Sequence, residues 1–152
     1  MTVGIGSDHA GFILKSLITD YLEKGNIKYV DFGTNSTDSV DYPDFISLVA
    51  KAVADQEVDK GIVICGSGLG ASIVANKIKG VRAALCDSEY LARFSRLHND
   101  ANVLALGERV IGTEIAMSIV NIWLSTEFEG GKHQRRLDKI AELENHFSND
   151  TK

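Results

Sequence analysis

The feature that most constrains the fold is a regular alternation of short apolar runs with longer segments of helical period. The clearest apolar run is Gly61–Cys65, which has no polar residue and is typical of a strand covered on both faces. Strands are also predicted over residues 3–6, 29–32, 82–86 and 102–106. Because parallel strands need long crossovers, this order predicts an α/β fold with a doubly wound, five-stranded parallel sheet and helices on both faces.

Helices are predicted in the segments between these strands. The first covers residues 11–24, with Leu14, Ile18 and Leu22 on its apolar face, and Gly25 ends it. The others are predicted over residues 41–54, 69–78, 88–97, 113–124 and, at the C-terminus, 133–146. The sequence therefore predicts a single domain over residues 1–147, followed by a frayed tail over residues 148–152.

The composition of the 152 residues argues against several classes of function. The net charge of −5 disfavours general attraction to nucleic acid or to anionic membranes. No apolar run approaches the roughly 20 residues that span a bilayer, and no signal-peptide pattern is visible, so we expect a cytoplasmic protein. The two cysteines, Cys65 and Cys86, are too few for a disulfide scaffold and lack zinc-ligand spacing. We expect no metal and no cofactor.

Reactive or ionisable side chains stand next to several predicted strands. Residues 7–11 follow the first strand, 65–72 close and follow the third, and 107–109 follow the fifth, while His98–Asp100 precede the fifth. Ligands of doubly wound sheets bind beyond the carboxyl ends of the strands. We therefore expect these groups to converge on one rim of the sheet.

The loop Gly66–Gly70 contains three glycines between a predicted strand and a predicted helix. This pattern favours an anion cradle built from backbone N–H groups, and a tight turn without a ligand is the simpler alternative. Gly66, Gly68 and Ala71, with Asp87 further on, also satisfy a loose dinucleotide-binding pattern. A dinucleotide-binding domain therefore stays open as an alternative function.

Each candidate side chain also has a structural interpretation. Cys65 could be a small core hydrophobe, although its place before an N–H-rich loop favours a reactive thiolate, whereas Cys86 is expected to be inert. His98 could simply satisfy carbonyl groups at a helix end, with Asn99 as a left-handed cap. Asp8 could be a helix N-cap.

Several segments agree in order and spacing with one family. These are residues 7–12, 41–43, 64–70, 95–102 and 129–136. On them the chain resembles the ribose-5-phosphate isomerase B family, which includes subunits of galactose-6-phosphate isomerase. The resemblance implies a Rossmann-like fold, a homodimer with active sites shared between subunits, and no metal. A tetramer stays open.

The resemblance also implies roles for individual residues. The family's proton-abstracting base is a cysteine at the position of Cys65 or a glutamate at the position of Ala71, so the chain is similar to the cysteine type. His98 would open the sugar ring and Ser67 would relay a proton. The residues expected to bind substrate are Asp8, His9, Tyr42, Gly66, Gly68, Leu69, Gly70, Asn99, Arg109, Lys132 and Arg136.

One of these positions departs from the family pattern. Lys132 stands where many members have arginine, which keeps the charge but loses the bidentate fork, and Arg135 could compensate. We predict an enzyme that isomerises ribose 5-phosphate to ribulose 5-phosphate through an enediolate. A six-carbon substrate such as allose 6-phosphate, and a catalytically inactive module that binds sugar phosphates, stay open as alternatives.

Overall fold

The computed structural model of the protein describes residues 1–149, and its centre is a five-stranded sheet. The strands are β1 (Thr2–Ser7), β2 (Lys28–Asp31), β3 (Lys60–Cys65), β4 (Ala83–Leu85) and β5 (Val103–Gly107). All pairings are parallel, and the strands lie in the order β2-β1-β3-β5-β4. The predicted parallel α/β fold is confirmed.

Six α-helices accompany the sheet in the described part of the chain. They are α1 (Phe12–Lys24), α2 (Tyr42–Ala54), α3 (Leu69–Ala75), α4 (Glu89–Leu97), α5 (Thr113–Ser125) and α6 (Lys132–Asn149). A short 3-10 helix, His9–Gly11, leads into α1. Side chains of α1, α4 and α5 cover one face of the sheet, and those of α2 and α3 cover the other. None of these helices is both long and apolar enough to cross a bilayer.

The central strand β3 has no polar residue from Gly61 to Cys65. Ile62 and Ile64 belong to the core under α1 and α5, while Val63 and Cys65 belong to the core under α2 and α3. Successive side chains of a strand point to opposite faces, and here both faces are covered by helices. A polar residue between Gly61 and Cys65 would therefore have no solvent-facing position.

Two helices end at positions that differ from the prediction. The helix predicted to Ile78 ends at Ala75, because the side-chain amide of Asn76 donates to the carbonyls of Ser72 and Ala83 and accepts from the N–H of Ala83. These bonds turn the chain toward β4. At the C-terminus α6 continues to Asn149, so the predicted tail over residues 148–152 overlaps its end. Residues 150–152 lie outside the described residues.

The order of the strands fixes where a ligand can bind. The chain passes from β1 to β2 on one side and then to β3 on the other side of β1. The two crossovers leave in opposite directions, so a crevice opens between the carboxyl ends of β1 and β3.

Candidate active site

A cavity of about 410 Å³ opens at the carboxyl ends of β1 and β3. It is formed by the segments that follow β1, β3 and β5, together with the start of α2. The residues that line it are Asp8, His9, Ala10, Tyr42, Cys65, Gly66, Ser67, Arg109 and Val110. All of them except Ala10 and Val110 are among the predicted site residues.

The sulfur of Cys65 is partnered by the backbone of the following loop. Cys65 is 5% exposed, and its Sγ accepts a hydrogen bond of 3.1 Å from the N–H of Gly68. Gly68 adopts the left-handed conformation with a φ of 78°, and a Cβ there would lie 2.5 Å from Cδ1 of Leu85. A donor directed at the sulfur stabilises the thiolate, which is the nucleophilic and basic form of cysteine.

The rest of the glycine loop supports this arrangement. Ser67 is exposed at the cavity, and its Oγ accepts from the N–H of Leu69 at 3.3 Å. A Cβ on Gly70 would lie 2.8 Å from the ring of Tyr42, so the absence of a side chain lets this ring lie against the start of α3. Gly68, Leu69 and Gly70 thus shape the loop but do not line the cavity.

Two predicted substrate-binding residues follow β1. Oδ1 of Asp8 accepts from the N–H groups of Ala10 and Gly11 at 2.9 and 3.0 Å, so the prediction of a helix N-cap is confirmed. Nδ1 of His9 lies 3.2 Å from the backbone nitrogen of Val40 and 3.3 Å from its oxygen. The Val40 backbone can therefore partner Nδ1 in either protonation state, which leaves Nε2 for a ligand.

A cation stands at the mouth of the cavity. The backbone N–H of Arg109 donates to the carbonyl of Gly66 at 2.9 Å, which joins the end of β5 to the glycine loop. The Arg109 side chain passes within 3.6 Å of the Cβ position of Gly66 and is exposed. With His9 it gives this rim of the sheet two groups suited to a phosphate.

The other predicted site residues lie at the opposite edge of the sheet. The carbonyl of Asn102 accepts from Gly61 N–H, so residues 98–102 lie beside the start of β3. Cys65 stands four residues further along that strand, about 13 Å away. The expectation that His98–Asp100 share one rim with Cys65 is therefore wrong for a single chain, because residues that precede a parallel strand lie at the edge opposite to those that follow it.

His98, Asn99, Lys132 and Arg136 form this second group. His98 caps α4, and its Nε2 lies 3.7 Å from Oε2 of Glu129. The N–H of Glu129 donates to the carbonyl of Leu97, which places the start of α6 beside the end of α4. Asn99, Lys132 and Arg136 are exposed. This group contains an imidazole, an amide and two cations, but no residue of the glycine loop.

The segment that carries His98 is held by two arginines. Arg82 donates to the carbonyls of Asn99 and Asp100 at 3.0 and 2.8 Å. Arg96 is 6% exposed, donates to the carbonyl of Ala101 at 2.7 Å and pairs with the carboxylate of Asp100 at 2.8 Å. Asp100, with a φ of 42°, is the left-handed residue, so the prediction of Asn99 in that role is wrong.

The structure disfavours the dinucleotide alternative. In a dinucleotide-binding fold the acidic residue follows a strand that neighbours the glycine-loop strand. Here β5 lies between β3 and β4, which separates Asp87 from the Gly66 loop by two strand spacings, about 10 Å. The helix after the loop, α3, has only seven residues.

Glu129 and His133 were not among the predicted site residues. They lie in the segment 129–136, which carries part of the family resemblance. That resemblance was the one feature of the sequence that could have pointed to them. Their contact with His98 joins the start of α6 to the end of α4, and the sequence spacing does not reveal such a contact.

Comparisons with known proteins confirm the resemblance. Residues 3–140 match the family described as Ribose/Galactose Isomerase. The chain is 50% identical to ribose-5-phosphate isomerase B of Escherichia coli, over 93% of this chain and 95% of that protein. It superposes on ribose-5-phosphate isomerase B of Clostridium thermocellum with a TM-score of 0.95 and 56% identity, over 97% and 99% of the two chains. The Mycoplasma genitalium enzyme with bound ribulose-5-phosphate superposes with a TM-score of 0.91 and 45% identity, over 95% and 96%.

Proposed function

The chain belongs to the ribose/galactose isomerase family, and on that basis we propose that it is an enzyme that interconverts ribose 5-phosphate and ribulose 5-phosphate. The observation that carries the proposal is the Cys65 sulfur, which receives the N–H of Gly68 at the wall of a 410 Å³ cavity. A cytoplasmic location fits a phosphorylated sugar as substrate.

The proposed reaction begins with the closed sugar ring. His98 donates a proton to the ring oxygen while the hydroxyl on carbon 1 releases its proton to water, and the ring opens to the aldehyde. The Cys65 thiolate then removes the proton on carbon 2, and the electron pair moves to form an enediolate. Backbone N–H groups of the glycine loop stabilise its negative charge. Ser67 relays a proton between the two oxygens, and the Cys65 thiol returns its proton to carbon 1 to give the ketose.

The phosphate requires positive groups about one sugar length from the sulfur. His9 and Arg109 stand at the rim of the cavity, and Lys132 and Arg136 belong to the second group of residues. Arginine can bind a phosphate through two parallel N–H bonds, whereas lysine acts as a single charge. We assign Asp8, Tyr42 and Asn99 to the sugar hydroxyls.

We infer that the functional unit is a homodimer in which each site takes residues from both chains. Cys65 and His98 lie at opposite edges of one sheet, so a second copy must bring its His98 to this Cys65. Among the described side chains of α6, only His133 and Leu137 are buried. Ile140 and Leu143 of that helix are 46% and 58% exposed.

A complementary apolar surface lies beside the cavity. Leu69 and Ile73 of α3 are 57% and 59% exposed, next to the loop that holds Cys65. Large exposed apolar patches mark surfaces that bind other proteins, and a second copy of this chain would cover both surfaces. A tetramer would contain two such dimers.

Replacement of the proposed base tests the function directly. The purified protein should convert ribose 5-phosphate to ribulose 5-phosphate, with a higher kcat/KM than for allose 6-phosphate. Cys65→Ala should lower kcat by roughly 10²–10⁴-fold and leave KM nearly unchanged, because it removes a general base and no phosphate ligand. Cys86→Ala is the matched control and should keep wild-type turnover. Near-normal turnover by Cys65→Ala would exclude the proposed mechanism.

A further inference from the structure

The ring of His98 contacts two other aromatic rings. It stacks on His133, with ring centroids 4.0 Å apart and planes inclined by 10°. It also makes an edge-to-face contact with Phe94, with ring centroids 4.8 Å apart and planes inclined by 67°, and Tyr90 continues the series along α4 at 4.4 Å from Phe94. The four rings form a column that runs from α4 to the start of α6.

His133 is the buried end of this column. It is 3% exposed, and its Nε2 has no hydrogen-bond partner among the described residues, with Oε2 of Glu129 lying 3.8 Å away. Its backbone N–H donates to the carbonyl of Gly130 at 3.0 Å, so the main chain also fixes its place. A buried side chain held in this way offers a rigid surface to the ring that it contacts.

Burial and the positive charges around His133 lower the pKa of its ring. Burial is the main cause that lowers the pKa of His133, and a positive charge on His98 lowers it further. Lys132 and Arg136 act in the same direction, while Glu129 opposes them.

The geometry of the pair favours stacking over metal binding. The ligand atoms of His98, Glu129 and His133 all lie within 4.8 Å of one another. A metal ion bound by two imidazoles lies close to the plane of each ring, and two planes inclined by only 10° do not meet between the stacked rings. A metal site would require one ring to rotate out of the stack.

We propose that His133 is a positioning residue for the ring-opening step, in which its buried ring holds the plane of His98 so that the His98 proton reaches the ring oxygen of the sugar. This inference rests on the proposed function and deepens it. His133 does not touch the substrate in this assignment. Its contribution is to orient the His98 ring. Displacing a catalytic group by 1 Å can lower the rate by as much as about 100-fold.

Ring opening and proton abstraction can be measured separately by starting the reaction from the aldose or from the ketose. Ribulose 5-phosphate cannot close a five-membered ring, because the oxygen on carbon 5 carries the phosphate. In deuterium oxide the enzyme should exchange the proton on carbon 1 of ribulose 5-phosphate through Cys65, with no ring to open. Consumption of ribose 5-phosphate requires both steps.

The test compares three variants in both assays. His133→Ala should lower kcat for ribose 5-phosphate by roughly 10- to 100-fold, with deuterium exchange into ribulose 5-phosphate and KM within about twofold of wild type. His133→Phe keeps a flat buried ring without nitrogen and should restore most of the lost rate. His98→Asn is the reference and should show the same selective loss.

Specific outcomes would overturn the inference. Equal loss of both reactions with a raised KM in His133→Ala would make His133 a substrate-binding residue. A His133→Phe variant as slow as His133→Ala would show that the ring surface is not what matters. The exchange reaction itself reports whether each variant is folded and competent. If His98→Asn shows no selective loss, the ring-opening role of the proposed function fails, whereas a wild-type rate in His133→Ala alone overturns only this inference.

Discussion

At the scale of single residues, the two buried cysteines differ in what surrounds their sulfur atoms. Cys65 and Cys86 are 5% and 1% exposed, so burial alone does not distinguish them. Cys65 lines a cavity and accepts a hydrogen bond from the backbone N–H of Gly68. Cys86 directs its S–H toward the carbonyl of Ala84, and burial raises its pKa to about 11. We therefore expect Cys86 to remain a thiol at every pH well below 11.

The raised pKa of Cys86 predicts a loss of stability in alkaline solution. Between pH 9 and about pH 11 the unfolded chain has released this proton while the folded chain still holds it, so folding weakens as the pH rises. The loss should reach at most about 3 kcal/mol. Urea unfolding at pH 8 and pH 10.5 measures it, and Cys86→Ala should lose less over the same interval. Equal losses in the two proteins would contradict the assignment.

At the scale of structural elements, the loop from β3 to α3 depends on one backbone conformation. Gly68 and Gly80 both have a positive φ, of 78° and 83°. A Cβ on Gly68 would lie 2.5 Å from Leu85 and 2.9 Å from the backbone of Leu106, whereas a Cβ on Gly80 would meet nothing within 4 Å. Replacing each of the two glycines by alanine therefore distinguishes two costs in the free energy of folding. Gly80 reports only the cost of a left-handed backbone in an L-residue, whereas Gly68 adds the cost of the steric contact.

This contrast gives a paired prediction. Gly80→Ala should lower the free energy of unfolding by about 1–2 kcal/mol, which is the cost of a left-handed L-residue. Gly68→Ala should cost at least about 2 kcal/mol more, because the backbone must also shift away from Leu106. Gly68→Ala should in addition reduce kcat, since its N–H would leave the Cys65 sulfur. Urea unfolding and the isomerase assay measure both effects, and equal destabilisation of the two variants would refute the packing argument.

The elements themselves were accessible from sequence because their signals are local. The apolar run of β3, Gly25 after α1 and the glycine loop before α3 each act within a few residues of the feature that they predict. The end of α3 was predicted wrongly, since Asn76 ends the helix by bonding to Ala83 on the next strand. That bond joins two elements and has no local signature.

At the scale of the whole molecule, the sheet divides the proposed site into two halves. One half surrounds Cys65 at the carboxyl ends of the strands, and the other surrounds His98 at the amino ends. The sequence did contain a signal for this division, because His98 precedes β5 while Arg109 follows it. The stack of His98 on His133 had no such signal, since it depends on how α6 returns to α4.

Mixing two inactive variants tests whether the halves combine between chains. In a dimer of Cys65→Ala with His98→Asn, one site has both replacements and the other has neither. Random pairing of equal amounts makes half of the dimers mixed, so about a quarter of wild-type activity should return. The variants should be unfolded and refolded together, and the activity should be compared with that of each variant alone. Absence of any recovery, with mixed dimers present, would place both halves in one chain.

The distance between Cys65 and His98 within one chain has a consequence for how activity arises. A newly made polypeptide would contain both halves of the catalytic site but no complete active site. Turnover would begin only when two copies form a dimer. Synthesis and catalysis would then be separated by a second-order encounter, so the rate per molecule would fall on dilution. The protein concentration would therefore set the fraction of chains that are in active dimers, in addition to the total number of chains.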